Sequence, residues 1–131
     1  MIGAIIGDIV GSRFEFGAAP QEGFELFTPD CSYTDDTVCT VAVADAVLNE
    51  RSYQESLLDW CRRYPDPMGG YGNRFNRWIH SEHPQPMDSF GNGAAMRVSP
   101  IGWLFDEWED VLEEAKKSAI VRHNHPEGVK G

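Results

Sequence analysis

Cysteine is scarce in this chain. There are three, Cys31, Cys39 and Cys61, an odd number with no Cys-x-x-Cys spacing. The count excludes a disulfide framework and a four-cysteine zinc site, and a reduced, cytoplasmic setting suits it. Positive charge is also short: 11 Lys and Arg stand against 21 Asp and Glu, a formal net charge of −10. Non-specific nucleic-acid binding needs clustered positive charge, so that partner class is set aside. An anionic membrane surface is disfavoured on the same ground. No apolar run approaches the roughly 20 residues of a membrane span. The apolar start, MIGAIIGDIVGS, has no basic segment and carries Asp8, so it reads as part of the fold and not as a signal peptide. Internal repeats, low-complexity segments and linkers are absent as well.

What is present is a globular composition, 41% hydrophobic and 24% charged with 11% aromatics, in a length that suits one domain with its own core. Ile2, Ile5, Ile6, Ile9 and Val10 fall on one helix face. Their β-branching would allow a strand, but strict alternation is missing. Residues 13–33 read as a long ordered loop, a feature often tied to function in compact domains. A helix follows Thr34, Asp35, Asp36 and Thr37, with Val38, Val41, Ala42 and Leu48 on its inner face. Ser52 and Glu55 form a capping-box pattern that opens a third helix, which Pro65 ends. Residues 65–72 are a turn-rich connector, and 73–80 a short helix. Residues 94–105 read as helical, kinked or restarted at Pro100. Residues 106–121 form an amphipathic helix with Trp108, Val111, Leu112, Ala115 and Ala119 inward. Its acids come early and Lys116 and Lys117 late, as the helix dipole favours. The fold class is therefore all-α, a packed multi-helix bundle over residues 1–131.

Four groups of residues could carry chemistry. Thr34, Asp35 and Asp36 place a hydroxyl and two carboxylates in one turn. That is either an N-cap with acidic first-turn residues or part of a divalent cation site needing further ligands. Gly7 and Gly11 lie four apart and allow close helix approach, while Glu15 in the next loop can bring a carboxylate to a site. Ser89, Phe90, Gly91, Asn92 and Gly93 are either an ordinary loop or a backbone N–H cradle for an anion such as phosphate. Of the histidines, His80 with His83 and His123 with His125 could be zinc ligands, against a default of solvent-facing or structural side chains.

In chain order the segments GAIIGDIVGSRFE, YTDDT, FGNGAAMRVSP and HNHPEGVKG resemble the ADP-ribosylglycohydrolase family, the group of dinitrogenase reductase-activating glycohydrolase and the ADP-ribose hydrolases. The resemblance spans the whole chain and implies an all-α fold. It implies hydrolysis of the glycosidic bond between ADP-ribose and an acceptor side chain, with two Mg²⁺ ions, or Mn²⁺ in some members. By motif, Thr34, Asp35 and Asp36 become metal ligands and Glu15 a catalytic carboxylate, with Asp35 and Asp36 acting at the same centre. Ser89, Phe90, Gly91, Asn92, Gly93 and His123 become the ADP-ribose-binding residues, with Met96 and Arg97 supporting the loop. The partner implied is ADP-ribose or an ADP-ribosylated substrate.

Two departures stand out. Arg122 occupies a place where family members commonly have Thr or Ser. The family's second acidic cluster, an Asp-x-Asp-Thr pattern, has no counterpart after Thr37. The chain is accordingly expected to be the N-terminal portion of such a fold, incomplete and a poor hydrolase alone. It would self-associate or pair with a chain supplying the missing half. The alternative is a catalytically inactive module that binds ADP-ribose or a nucleotide, or a purely structural helical protein.

Overall fold

The computed structural model describes residues 1–130. Among these there are seven α-helices and no strand. Helix α1 spans Ile2–Gly11 and runs into a 3-10 turn, Ser12–Phe14; α2 is Asp35–Leu48, α3 Tyr53–Arg63 and α4 Asn73–Ile79. A second 3-10 turn, Ala95–Arg97, precedes α5 (Ile101–Leu104), α6 (Trp108–Ile120) and α7 (Pro126–Lys130).

Helix α2 is the centre of the molecule. Thr34 is its N-cap, in extended backbone, and its side chain accepts from the Asp36 N–H at 3.2 Å. Asp35 and Asp36 then occupy the positive end of the dipole. Val38, Cys39, Thr40, Ala42, Val43, Ala44 and Ala46 are buried, so α2 is wrapped on most sides and shows little amphipathic contrast. It packs on α1, α3, α5 and the Ala95–Arg97 turn. Val38, Cys39 and Ala42 meet Leu57 and Cys61 of α3 and Trp78 and Ile79 of α4 in the main core cluster. The Cys39 and Cys61 sulfurs lie 3.9 Å apart as free thiols. The expected cap of α3 is present, with the Ser52 hydroxyl accepting from the Glu55 N–H at 3.5 Å.

Several expected inner faces are corrected. Leu48 is 63% exposed because it lies in the last turn of α2, beyond the reach of α3. Trp108 and Leu112 are exposed, and α6 buries Ser118 and Ala119 toward its C-terminal end instead. In α1 only Val10 is buried, while Ile2 and Ile6 face outward, because α2 covers one side of this helix. The 94–105 segment takes the restart and not the kink: a 3-10 turn, Ala95–Arg97, ends before Pro100, which caps the new helix α5.

The long loop after α1 is ordered by Arg13. Its guanidinium donates to the Thr28 hydroxyl at 2.5 Å and to the Glu25 carbonyl, and lies over the Phe14 and Phe24 rings. Two isolated parallel bridges place the remaining loops. Thr34 pairs with Met68 at the start of α2, and Met87 pairs with His123 beyond α6. The second is made by Met87 N–H to the Arg122 carbonyl at 2.8 Å and Asn124 N–H to the Met87 carbonyl at 3.3 Å. It carries the 88–93 loop to the end of α6.

Candidate functional site

The N-terminus of α2 separates two cavities. The first, about 460 Å³, is walled by α1 and the following turn and contains Asp8, Glu15, Thr34 and Asp36. The second, about 340 Å³, contains Asp35, Ser89, Gly91, Asn92, Gly93 and His123 together with arginines. Adjacent helical residues diverge by about 100°, which sends Asp36 into one cavity and Asp35 into the other. Met96 lines both.

The first cavity is built on Asp8. Its carboxylate accepts from the Thr34 backbone N–H at 2.9 Å, from the Thr34 hydroxyl at 2.5 Å and from the Thr37 hydroxyl at 2.5 Å. Asp8 thus ties α1 to the first turn of α2 and fixes the Thr34 hydroxyl. The sequence reading assigned Asp8 no role; its signal was a lone carboxylate between Gly7 and Ile9 in an otherwise apolar helix. Gly7 and Gly11 were expected to permit close helix approach. The structure overturns this, since a Cβ at either position would meet nothing within 4 Å. Both instead line the first cavity, whose floor they leave open.

The acids crowd one another. Burial and then the charge of Asp36, followed by that of Glu15, push Asp35 up to about 6. Burial and then Asp8 raise Asp36. Burial and then Asp36 and Asp8 raise Glu15. Asp8, Glu15, Asp35 and Asp36 thus put four mutually repelling carboxylates around the start of α2. The Thr34 oxygen accepts one N–H and keeps a second lone pair free. Among the described residues no three His, Cys, Asp or Glu side chains come together at metal-holding geometry.

The second cavity has the opposite character. Arg97 is buried and donates to the Ser118 carbonyl at 3.1 Å. Burial and then the charges of Arg97 and Arg122 push His123 down to about 4, so it is neutral near pH 7. Its ring packs on Gly93, where a Cβ would come within 3.3 Å of Cε1. Gly128 in α7 sits so close to the Ser89 carbonyl that a Cβ would collide with it. Ser89 accepts from the Gly91 N–H at 3.3 Å, which turns the loop tightly. Phe90 is not in the wall of either cavity; its ring is 70% exposed and lies on His125, centroids 4.0 Å apart.

The order of these elements has a match among known proteins. The family model described as ADP-ribosylglycohydrolase matches residues 1–131, the whole chain. The chain belongs to the ADP-ribosylglycohydrolase family. It is 27% identical over 161 aligned positions to the ADP-ribosylhydrolase ARH3 of Xenopus tropicalis, an alignment covering 100% of this chain and 45% of that protein. The ARH3 of Homo sapiens is 26% identical with the same coverage of 100% and 45%. A solved structure titled "ADP-ribosylglycohydrolase-related protein complex" superposes with a TM-score of 0.67 at 23% identity, covering 98% of this chain and 49% of that one. That likeness establishes the all-α ADP-ribosylglycohydrolase fold. The chain spans about half the length of the curated relatives it matches.

Proposed function

We propose that this chain carries the substrate-binding and first metal-binding elements of a hydrolase that cleaves the glycosidic bond between ADP-ribose and an acceptor. The observation that carries this reading is the pairing of an acidic cavity with a basic, glycine-lined one across the start of α2. Such a substrate has a ribose anomeric carbon at one end and a diphosphate in the middle, and needs both environments.

Thr34 and Asp36, which line the first cavity, would hold Mg²⁺ or Mn²⁺, one of two ions in a complete site, with Asp35 beside them at the same helix start and close enough to feel Asp36, Glu15 and Asp8. When bound, the metal supplies positive charge that orients ribose hydroxyls and makes water a better nucleophile. The remaining steps fall to the chain's own side chains. Asp8 holds the Thr34 hydroxyl in place through a 2.5 Å hydrogen bond. Glu15, raised above the usual carboxylate range by burial and then by the charges of Asp36 and Asp8, takes the proton of the attacking water at a carboxylate oxygen. The bond breaks with oxocarbenium character at the anomeric carbon, which the surrounding carboxylates stabilise; the acceptor leaves with the bonding electron pair and takes up a proton, the one Glu15 removed or one from solvent, while the water oxygen bonds to the anomeric carbon. The N–H groups of Asn92 and Gly93 bind the diphosphate, with the Gly91 N–H kept on Ser89 to shape the loop, and neutral His123 contacts the same ligand.

A second reading, ligand binding without turnover, is favoured by the lack of a three-ligand metal group among the described residues. Exposed Trp103, Trp108 and Leu112 support self-association or pairing with a second chain through an apolar face. No helix of the described residues is long and apolar enough to cross a membrane, and the free thiols suit a reduced, cytoplasmic compartment. The test is release of ADP-ribose from a modified peptide with and without Mg²⁺, alongside a solution mass. Slow, Mg²⁺-dependent release that Asp36→Ala abolishes without unfolding the chain supports the enzyme. Binding with no release by any preparation supports the second reading. Asp36→Ala with unchanged Mg²⁺ dependence refutes the metal assignment.

A further inference from the structure

The second cavity holds more positive charge than its protein partners answer. Arg122 is 4% exposed, yet neither Nε nor Nη1 has a hydrogen-bond partner, and none of the ion pairs among the described residues involves it. Arg97, 1% exposed, leaves its own Nε unpartnered, and His123, 4% exposed, leaves Nδ1 so. All three line the cavity, as does Arg74 from the start of α4. Asp35 is the one carboxylate in its wall. Arg122 feels the charges of Arg74 and Arg97 as repulsion. Burying a guanidinium without a counter-charge is costly, and leaving its N–H groups unmet adds to the cost. A ligand that resolves both must be an anion.

The arrangement of donors narrows the anion. They arrive from three elements: α4, the 91–93 loop and the segment after α6. A carboxylate offers two oxygens in one plane. A phosphoryl group offers oxygens in several directions, and one edge of it matches the guanidinium fork.

We propose that Arg122 is a specificity-determining residue whose guanidinium binds a phosphoryl group of the ligand in the second cavity. The choice of ADP-ribose as one probe rests on the reading under Proposed function; the anion contact itself does not. Calorimetric titration of the 131-residue chain with inorganic pyrophosphate, in metal-free buffer, tests it. Wild type, Arg122→Thr and Arg122→Lys are compared, with exposed Arg63→Gln as control, and adenosine and ADP-ribose are titrated in parallel.

Wild type and Arg63→Gln should bind pyrophosphate equally. Arg122→Thr should weaken it at least tenfold, Arg122→Lys less, and adenosine binding should not change. Pyrophosphate should raise the melting temperature of wild type and not of Arg122→Thr. If Arg122→Thr does not fold, the same loss of fork geometry is read from Arg122→Lys, where affinity equal to wild type overturns the proposal. No pyrophosphate binding by wild type, or equal binding by wild type and Arg122→Thr, also overturns it. Pyrophosphate held through Arg122 with no binding of ADP-ribose defeats the Proposed function and leaves this inference standing. ADP-ribose bound equally by wild type and Arg122→Thr does the reverse.

Discussion

Removing Asp8 tests whether one buried-edge carboxylate organises the acidic cavity. In Asp8→Ala three hydrogen bonds disappear, from the Thr34 N–H at 2.9 Å and from the Thr34 and Thr37 hydroxyls at 2.5 Å each. Hydrogen bonds to a charged acceptor are worth about 1.5 kcal/mol each at a half-exposed site, a loss of about 4–5 kcal/mol. Repulsion opposes this. Asp8 raises Asp35, Asp36 and Glu15, so its removal relieves those groups, by about 1 kcal/mol at a partly solvated position. The net expectation is a loss of about 3 kcal/mol, or about 12 °C in melting temperature for a chain of this size. Asp8→Asn separates the two effects. It keeps one oxygen for two of the donors and removes the charge, so its stability should stay within about 1 kcal/mol of wild type. Urea denaturation of both variants, followed by circular dichroism, reads the difference. Asp8→Ala melting within a few degrees of wild type refutes the hydrogen-bond argument. Asp8→Asn as damaged as Asp8→Ala shows that the charge is what holds α1 to α2.

Gly7→Ala should stabilise the chain by about 0.5–1 kcal/mol, because helix α1 gains propensity and the new Cβ meets nothing within 4 Å; a destabilised variant in chemical melts would mean that α1 does pack there. Trp78→Ala, at 3% exposure, should cost about 3–5 kcal/mol, while Trp108→Ala, at 68%, should cost under about 1 kcal/mol; equal costs would contradict the placement of α6. His123 is held down to about 4 in the folded state, below the unfolded value near 6.5. The unfolded chain therefore takes its proton first, and the stability from a neutral His123 is full above about pH 6.5 and lost as pH falls toward 4. Asp35, raised to about 6, works in the opposite direction over the same range, so the difference between wild type and His123→Asn isolates the histidine. That difference should shrink or reverse by about 2 kcal/mol from pH 7 to pH 4, and a pH-independent difference would show that His123 titrates normally.

The helices were legible wherever local chemistry sets them. Thr34 and Ser52 cap α2 and α3 as their side chains dictate, and Pro65 follows the end of α3. What periodicity did not give was which apolar residues are covered. Trp108 and Leu112 have the right spacing on α6, but the buried stripe is decided by which helix lies opposite. That neighbour meets the C-terminal half, around Ser118 and Ala119. The same holds for Ile2 and Ile6 on α1. The break at Val98, Ser99 and Pro100 was only half visible, since a proline is compatible with a restart or a stop.

The TDDT and glycine-rich motifs could be picked out as candidates because each is contiguous. The surroundings of Asp8 and Arg122 were not readable, because their neighbours lie far along the chain: Asp8 meets Thr34 and Thr37, and Arg122 is carried to the 88–93 loop by the Met87 bridge. The structure also accounts for two adjacent acids at the head of α2. A helix dipole would be served by one, and the pair costs repulsion: burial and then the charge of Asp36 raise Asp35, while burial and then Asp8 raise Asp36. Since neighbouring residues on a helix point about 100° apart, two consecutive aspartates deliver one carboxylate to each cavity. Asp36 lines the cavity that holds Asp8 and Glu15, while Asp35 lines the one that holds the arginines and His123, though the charges it feels are still those of Asp36, Glu15 and Asp8. A ligand with a cationic centre at one end and a phosphoryl anion at the other would find its counter-charges in the same order, and α2 would stand between them as the fixed reference for both.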